Sequence, residues 1–247
     1  MACKAWFDKL ELLVGPAVQQ SENYYREHIF LADLRDRTDR DQVQIWHEHQ
    51  QMQLSFLKRK GFSGSTNILD LGCGPMRLGS VLIPELVSGW YYGQDINSET
   101  IAYGHEVLQN CGVEPNANYT LFASENFELD LVDRKIDIAF FNSLFSHLNL
   151  NSIYTCLLQL SKRLSSSAVY YSSFFIVPAD SSWLDVQARS KWGNEFSTFS
   201  FQDPYHYHRS LLESVAREAG YRMDLVGDYG HPTQTMARFW RKRNFWF

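Results

Sequence analysis

The sequence predicts an α/β protein: a mostly parallel, seven-stranded sheet with helices on both faces, giving three layers, and a helical cap ahead of it. Three observations carry this. From Ile68 onward, apolar runs of strand length alternate with segments of helical period, the rhythm of βαβ units. The first run stops at Gly72-Cys73-Gly74, where glycines permit a tight turn and a close approach of backbone to a ligand. The second, Trp90-Tyr91-Tyr92-Gly93-Gln94-Asp95, ends in an acid. Strand, glycine turn, helix, strand, acid is the layout of a nucleoside-binding unit, in which the carboxylate accepts hydrogen bonds from ribose hydroxyls.

Residues 1–62 read as the cap and 63–247 as the core of one domain. In the cap, Trp6, Leu10, Leu13 and Val14 recur at helical spacing. Pro16 opens a second helix carrying Tyr24, Tyr25, His28, Ile29 and Leu31. After the charged stretch Asp33 to Asp41, the residues Val43, Trp46, Gln50, Leu54 and Leu57 mark a third, closed by Gly61. His47-Glu48-His49 lacks the H-E-x-x-H spacing, because Gln51 stands where the second His belongs. It reads as a solvated face and not as a metal site.

In the core, Ile68 to Leu71 is a buried strand and Met76 to about Leu86 the helix after it. Ser98 and Glu99 open a helix running to about Gln109. Residues 118–122 form the third strand and 136–141 the fourth. Leu157, Leu160 and Leu164 mark the next helix, Ser165-Ser166-Ser167 a turn, and Val169 to Phe175 the fifth strand. The insertion 178–202, with Trp183, Trp192, Phe196, Phe199 and Phe201, breaks the periodicity and reads as a substrate lid. Asp203-Pro204-Tyr205-His206-Tyr207 leads a helix through Leu211, Val215 and Ala219. Tyr221 to Val226 and Gln234 to Trp240 are joined by a loop too short for a crossover helix, so the last strand is antiparallel. The strand order is expected to reverse beside Gly72, opening a crevice.

The glycine turn departs from the dinucleotide fingerprint, since G-x-G-x-x-G needs glycine where Arg77 stands. An Arg beside the turn suits a carboxylate, so the ligand is a ribonucleoside with an amino-acid-like tail. The stretch Leu69-Asp70-Leu71-Gly72-Cys73-Gly74 with Asp95 resembles motifs I and II of class I S-adenosylmethionine-dependent methyltransferases. It is most similar to a bacterial small-molecule subgroup whose glycine turn continues into an Arg-containing helix start. The resemblance spans about residues 65 to 240 and implies a Rossmann-like fold with S-adenosylmethionine as cofactor. The cofactor contacts it implies are Asp70, Gly72, Cys73, Gly74, Arg77, Asp95 and Ile96. It adds Asn126 and Phe127 at the adenine, and Asn142 and Ser143 where cofactor and substrate meet. The Asp-Pro-Tyr-His-Tyr and Gly-His-Pro segments resemble the same subgroup.

Methyl transfer from a sulfonium is an in-line displacement that needs alignment and exclusion of water, with no covalent intermediate and no metal. Histidine is the natural base near neutral pH, and His147, His206 and His231 fall in loops or helix starts on the crevice side. Tyr24, Tyr25, His28, Trp183 and Tyr205 are the candidates to wall the substrate. Aromatics at 15%, including seven Trp, suit an aromatic-lined pocket.

The formal net charge of −5 gives no general case for nucleic acid or an anionic membrane as partner. Nor is Asn142-Ser143-Leu144-Phe145 the Asn-Pro-Pro-aromatic type of enzymes that methylate nucleic-acid amino groups. Cys3, Cys73, Cys111 and Cys156 lie too far apart for a zinc or disulfide pattern. Lys4, Asp8 and Lys9 interrupt the first apolar stretch and no run reaches the length of a membrane span, so a cytoplasmic protein is expected and the sequon at Asn118 is idle. The expected activity is methyl transfer to O or N of a small molecule. Peptide or protein methylation and non-catalytic cofactor binding are the alternatives, and Arg77 disfavours a nicotinamide-dependent oxidoreductase.

Overall fold

The computed structural model describes residues 40–191, 194–227 and 229–241. Tyr24, Tyr25 and His28, with the first two expected helices, lie outside the described residues.

Strand β1 (Ile68–Leu71) is buried at every position. It sits between β2 (Tyr91–Asp95) and β4 (Ile136–Phe141), parallel to both. Beyond β2 lies β3 (Tyr119–Ala123), and beyond β4 lies β5 (Leu164–Ile176), again parallel. β10 (Thr235–Arg241) then runs antiparallel to β5 and to the edge strand β9 (Tyr221–Gly227). The order β3-β2-β1-β4-β5-β10-β9 is the expected seven-stranded sheet, with its reversal at β1. One addition is β8 (His206–Tyr207), which pairs in parallel with the far end of β5.

Side-chain alternation divides the core in two, as a sheet covered on both faces requires. On one face Leu69, Leu71, Phe141 and Tyr170 pack with Ile153 and Leu157 of α4 (Leu150–Leu160) and Leu212 of α5 (Arg209–Glu218). Tyr170 and Phe239 stack there, ring centroids 4.4 Å apart. On the other, Ile68, Tyr91 and Phe140 pack with Phe56 and Leu57 of α1 (Arg40–Arg59). Leu82 of α2 (Gly79–Leu82) and Ile101 and Leu108 of α3 (Ser98–Asn110) complete that layer. Asn97 caps α3 by accepting hydrogen bonds from the N–H groups of Glu99 and Thr100.

Three sequence expectations need correction. The helix expected from Met76 is shorter: Met76 itself is left-handed at φ 65°, so α2 starts at Gly79, and the chain turns 3₁₀ over Ile83–Glu85, around Pro84. The fully buried Met76 side chain occupies space left by glycines. A Cβ on Gly79 would lie 2.1 Å from its Cε, and one on Gly104 would lie 2.8 Å from its Cγ. Leu164 begins β5 instead of ending α4, and the three serines lie within the strand. The register steps from Ile136–Leu164 to Ile138–Val169, so the serine run forms a bulge. Within the insertion, β6 (Gln187–Lys191) and β7 (Asn194–Thr198) pair in antiparallel fashion. Finally, His47-Glu48-His49 is solvated only at His47 and Glu48, because His49 is buried against the core.

Among the described residues no helix is long and apolar enough to cross a membrane, and no group of His, Cys, Asp and Glu could hold a metal ion.

Candidate active site

In an open α/β sheet the reversal of strand order at β1 sets the ligand crevice at the carboxyl ends of β1 and its neighbours β2, β3 and β4. After β1 the chain enters left-handed backbone at Gly72 (φ 71°) and Gly74 (φ 55°), where glycine carries no steric penalty. The N–H groups of Gly72 and Cys73 donate to the Gln94 carbonyl at 2.8 and 3.0 Å, tying the turn to β2. A Cβ at Gly74 would meet nothing within 4 Å, so a ligand can approach the turn's backbone there.

Asp95 closes β2 beside this turn. Its Oδ2 accepts the Gly74 N–H at 3.0 Å and its Oδ1 the Asn97 N–H at 3.1 Å. Burial raises its pKa from the ordinary carboxylate value, and those backbone donors work against the rise. A carboxylate oxygen has more than one lone-pair direction, so both oxygens keep capacity to accept from a ligand's hydroxyls. Deeper in β1, Asp70 accepts from the Tyr91 hydroxyl at 2.7 Å, and burial pushes its carboxyl up to about 7. Burial likewise pushes up the Cys73 thiol, which keeps it protonated and unreactive. Ile96 is half-buried beside Asp95.

After β3, Asn126 (φ 53°) and Phe127 (φ 58°) are consecutive left-handed residues. Asn126 is exposed, while Phe127 packs on the core. Ser124 braces the loop by donating to the Glu128 carbonyl at 2.8 Å. After β4, Ser143 is left-handed at φ 65°. Every non-glycine described residue with positive φ therefore sits in a loop leaving β1, β3 or β4. Such conformations cost about 1–3 kcal/mol each and persist where surrounding structure enforces them, typically at ligand sites.

At Ser143 the enforcing structure is a network of side chains. The Ser143 N–H donates to Ser173 Oγ at 2.7 Å. The Ser143 and Ser173 hydroxyls both donate to Gln234 Oε1, at 3.1 and 2.6 Å. Ser146 Oγ donates back to the Ser143 carbonyl at 2.5 Å, and Tyr229 donates to Asn142 Oδ1 at 3.3 Å.

The three candidate histidines have different surroundings. His206 on β8 is fully buried: its Nε2 faces the Trp183 carbonyl at 2.9 Å and its Nδ1 the Thr198 hydroxyl at 3.0 Å. Trp183 Nε1 returns a hydrogen bond to the His206 carbonyl at 3.1 Å. Burial lowers the pKa of His206, so it stays neutral and clamps the insertion to the sheet. His231 accepts the N–H groups of Thr233 and Gln234 at Nδ1, at 3.2 and 3.0 Å, which places its ring proton on Nε2. His147 follows β4 in a 3₁₀ turn, Phe145–His147. It is one-third exposed, and its Nδ1 lies 2.7 Å from Asp203 Oδ1.

Two further expectations meet a different geometry. Arg77, expected beside a ligand carboxylate, is turned toward α1. Its Nη1 lies 3.1 Å from His49 Nδ1 and its guanidinium covers the Trp46 ring at 4.6 Å. Gln50 donates to the Arg77 carbonyl at 2.8 Å and to Ser80 Oγ at 3.0 Å, completing the dock of α1 on the glycine-turn segment. Tyr205, expected to wall the substrate, is buried and stacked with Tyr207, ring centroids 6.2 Å apart. Sequence reasoning missed Ser173, Gln234, Asp203 and His49. Only Asp203 carried a signal, as the acid that opens the Asp-Pro-Tyr-His-Tyr segment.

Residues present fit a nucleoside cofactor with an amino-acid tail: an acceptor carboxylate at Asp95, an open glycine turn, and left-handed backbone around the crevice. Comparison with known proteins agrees. No curated protein matches the sequence. Among solved structures, a magnesium protoporphyrin IX methyltransferase from Synechocystis PCC 6803 with bound S-adenosylmethionine superposes with a TM-score of 0.59 at 14% identity, over 89% of this chain and 94% of that one. The DhpI complex with S-adenosylhomocysteine gives 0.58 at 15% identity, over 94% and 98%. The CcbJ methyltransferase from Streptomyces caelestis gives 0.57 at 12%, over 78% and 90%. Residues 62–194, more than half of the chain, match the family model described as a methyltransferase domain. The chain belongs to that family and is a class I S-adenosylmethionine-dependent methyltransferase.

Proposed function

We propose that the protein methylates an oxygen or nitrogen of a small molecule, with His147 as the base that removes the acceptor's proton. The observation that carries the reading is the placement of His147: at the carboxyl end of β4, beside the left-handed Ser143, one-third exposed and held by a carboxylate. His206 has both ring nitrogens engaged in the clamp, and His231 carries its proton on Nε2, so neither is arranged to accept one. The net charge of −5 and the β6–β7 hairpin after β5 support a small acceptor in place of nucleic acid.

Asp95 would hold the ribose hydroxyls, the Gly72–Gly74 turn would admit the amino-acid tail, and Asn126 and Phe127 would flank the adenine. Bound S-adenosylmethionine supplies an activated methyl group on a positively charged sulfur. The chain's own tasks are to align the acceptor with it, exclude water and take up one proton at His147 Nε2.

The test is a panel of small hydroxylated and amine acceptors, set beside unstructured peptides, with S-adenosylhomocysteine release read by mass spectrometry. Turnover of at least one small acceptor is expected. His147→Ala should lower it roughly 10²-fold or more, with S-adenosylhomocysteine affinity unchanged by calorimetry. Turnover confined to peptides would replace the small-molecule reading. Nicotinamide cofactor binding tighter than S-adenosylhomocysteine would remove the cofactor assignment as well.

A further inference from the structure

We infer that Asp203 is a positioning residue for methyl transfer, holding the proton of His147 on Nδ1 so that Nε2 is the atom that accepts the acceptor's proton. The inference rests on the reading of His147 as base and adds a second residue, 56 positions away, that makes it one.

The geometry is that of a supported imidazole. Nδ1 and Oδ1 are 2.7 Å apart, and Asp203 is only 10% exposed. An ionised carboxylate only accepts hydrogen bonds, so the nitrogen facing it carries the N–H and the other carries the lone pair. An exposed ion pair at this distance would contribute little, but a sheltered one with a fixed geometry is worth more.

Both partners are fixed by backbone contacts. The His147 N–H donates to the Leu144 carbonyl at 2.9 Å. On the other side, the Tyr205 N–H donates to the Ser146 carbonyl at 2.7 Å, and the Phe199 N–H to the Pro204 carbonyl at 2.9 Å. The Tyr205–Ser146 bond joins the two loops one residue from His147 and two from Asp203. The pairing is therefore built into the docking of the insertion's exit onto the β4 loop.

In the reaction, an electron pair of the acceptor's oxygen or nitrogen bonds the methyl group as the methyl–sulfur bond breaks and leaves its pair on sulfur, and the acceptor's O–H or N–H proton goes to Nε2. The imidazolium then returns the proton to water, which reaches the one-third-exposed side chain. Asp203 keeps its charge throughout, stabilising the imidazolium without taking the proton. A base of this kind serves an acceptor that arrives protonated, a hydroxyl or an amine, in preference to a carboxylate.

The experiment has two arms, both on the full-length protein. Long-range ¹H–¹⁵N correlation spectra of ¹⁵N-histidine-labelled protein, recorded at about pH 9 where an ordinary histidine is neutral, report the tautomer. The signal is assigned with His147→Gln. His147 should be the Nδ1–H tautomer in the wild type. It should lose that single form in Asp203→Ala and in Asp203→Asn, the isosteric variant that covers poor folding of the first. In the second arm, methyl transfer to an acceptor from the panel is compared in a double-mutant cycle. Asp203→Ala should cost tenfold or more in kcat in the wild-type background and nothing further in the His147→Ala background.

An Nε2–H tautomer in the wild type, an unchanged tautomer in both variants, or an undiminished Asp203→Ala effect without His147 would overturn the inference. Wild-type turnover in His147→Ala would overturn the base reading and the positioning role together. A slow His147→Ala beside a fast Asp203→Ala would remove Asp203 alone.

Discussion

The two sides of the crevice are made from different materials. On the β1–β3 side the contacts are largely backbone: the Gly74 and Asn97 N–H groups on Asp95, the Gly72 and Cys73 N–H groups on Gln94, and left-handed turns at Gly72, Gly74, Asn126 and Phe127. On the β4–β5–β10 side they are side chains: Ser143, Ser173 and Gln234 in one network, His147 with Asp203, and His206 with Trp183 and Thr198. The first kind is made by the backbone of adjoining strand ends and turns and depends on which positions can adopt unusual dihedrals. The second depends on which side chains meet after folding, and it reaches across as many as 91 positions. Changes on the first side should therefore be read in cofactor affinity, and changes on the second in stability or turnover.

The sharpest break of this comparison is His206→Ala. It removes a buried ring that joins the insertion to the sheet through two hydrogen bonds and should cost about 3 kcal/mol, visible as a lower urea midpoint. S-adenosylhomocysteine affinity of the folded variant should stay at the wild-type value. A loss of affinity with unchanged stability would reverse the assignment of the two sides.

Asp95→Ala should do the opposite. Losing charge-assisted hydrogen bonds to the ribose should weaken S-adenosylhomocysteine by about 2 kcal/mol in calorimetry. Unchanged affinity would take Asp95 out of the cofactor site.

Gly72→Ala is a smaller perturbation of the same side. At φ 71° an L-residue costs about 1–2 kcal/mol, and its Cβ would sit 3.1 Å from Leu144 Cδ1. Because Leu144 belongs to the β4 loop, this variant touches both sides. It should lower the midpoint by about 1 kcal/mol and weaken the cofactor as well.

The least perturbing probe is pH. Asp70 titrates near about 7 in the fold against 3.8 as a model group, because burial disfavours its charge. The folded state thus binds this proton more tightly than the unfolded chain. The stability it contributes is full below about pH 4 and is lost as pH rises through about 7. Urea midpoints of the wild type should carry that decline, and Asp70→Asn should flatten it. A wild-type curve with no Asp70-dependent component would mean that Asp70 is ionised and supported in the fold.

The legible parts of the site follow the same division. Gly72, Gly74 and Asp95 stood out in the sequence because a nucleoside turn demands those residue types at fixed spacing, and β1, β2 and the antiparallel β10 followed from apolar runs and a short loop. The short α2 was hidden because nothing in Met76 announces a left-handed residue; Gly79 and Gly104, 25 positions apart, make room for its side chain. The serine run before Val169 looked like a turn because its hydroxyls lack a strand pattern, while the register shift against β4 absorbs it.

What the sequence determined by itself is the class of protein: the α/β alternation, the glycine turn, the acid that ends β2 and, through them, the methyltransferase family and its cofactor. These are local properties, set by backbone dihedral preferences and by the period of apolar residues. Only the tertiary structure decided how three similar histidines differ. His206 is sealed between Trp183 and Thr198, His231 accepts two backbone N–H groups, and His147 meets Asp203. Tautomer and exposure belong to the partners a ring acquires in the fold, and those partners come from segments whose separation in sequence carries no sign of their contact.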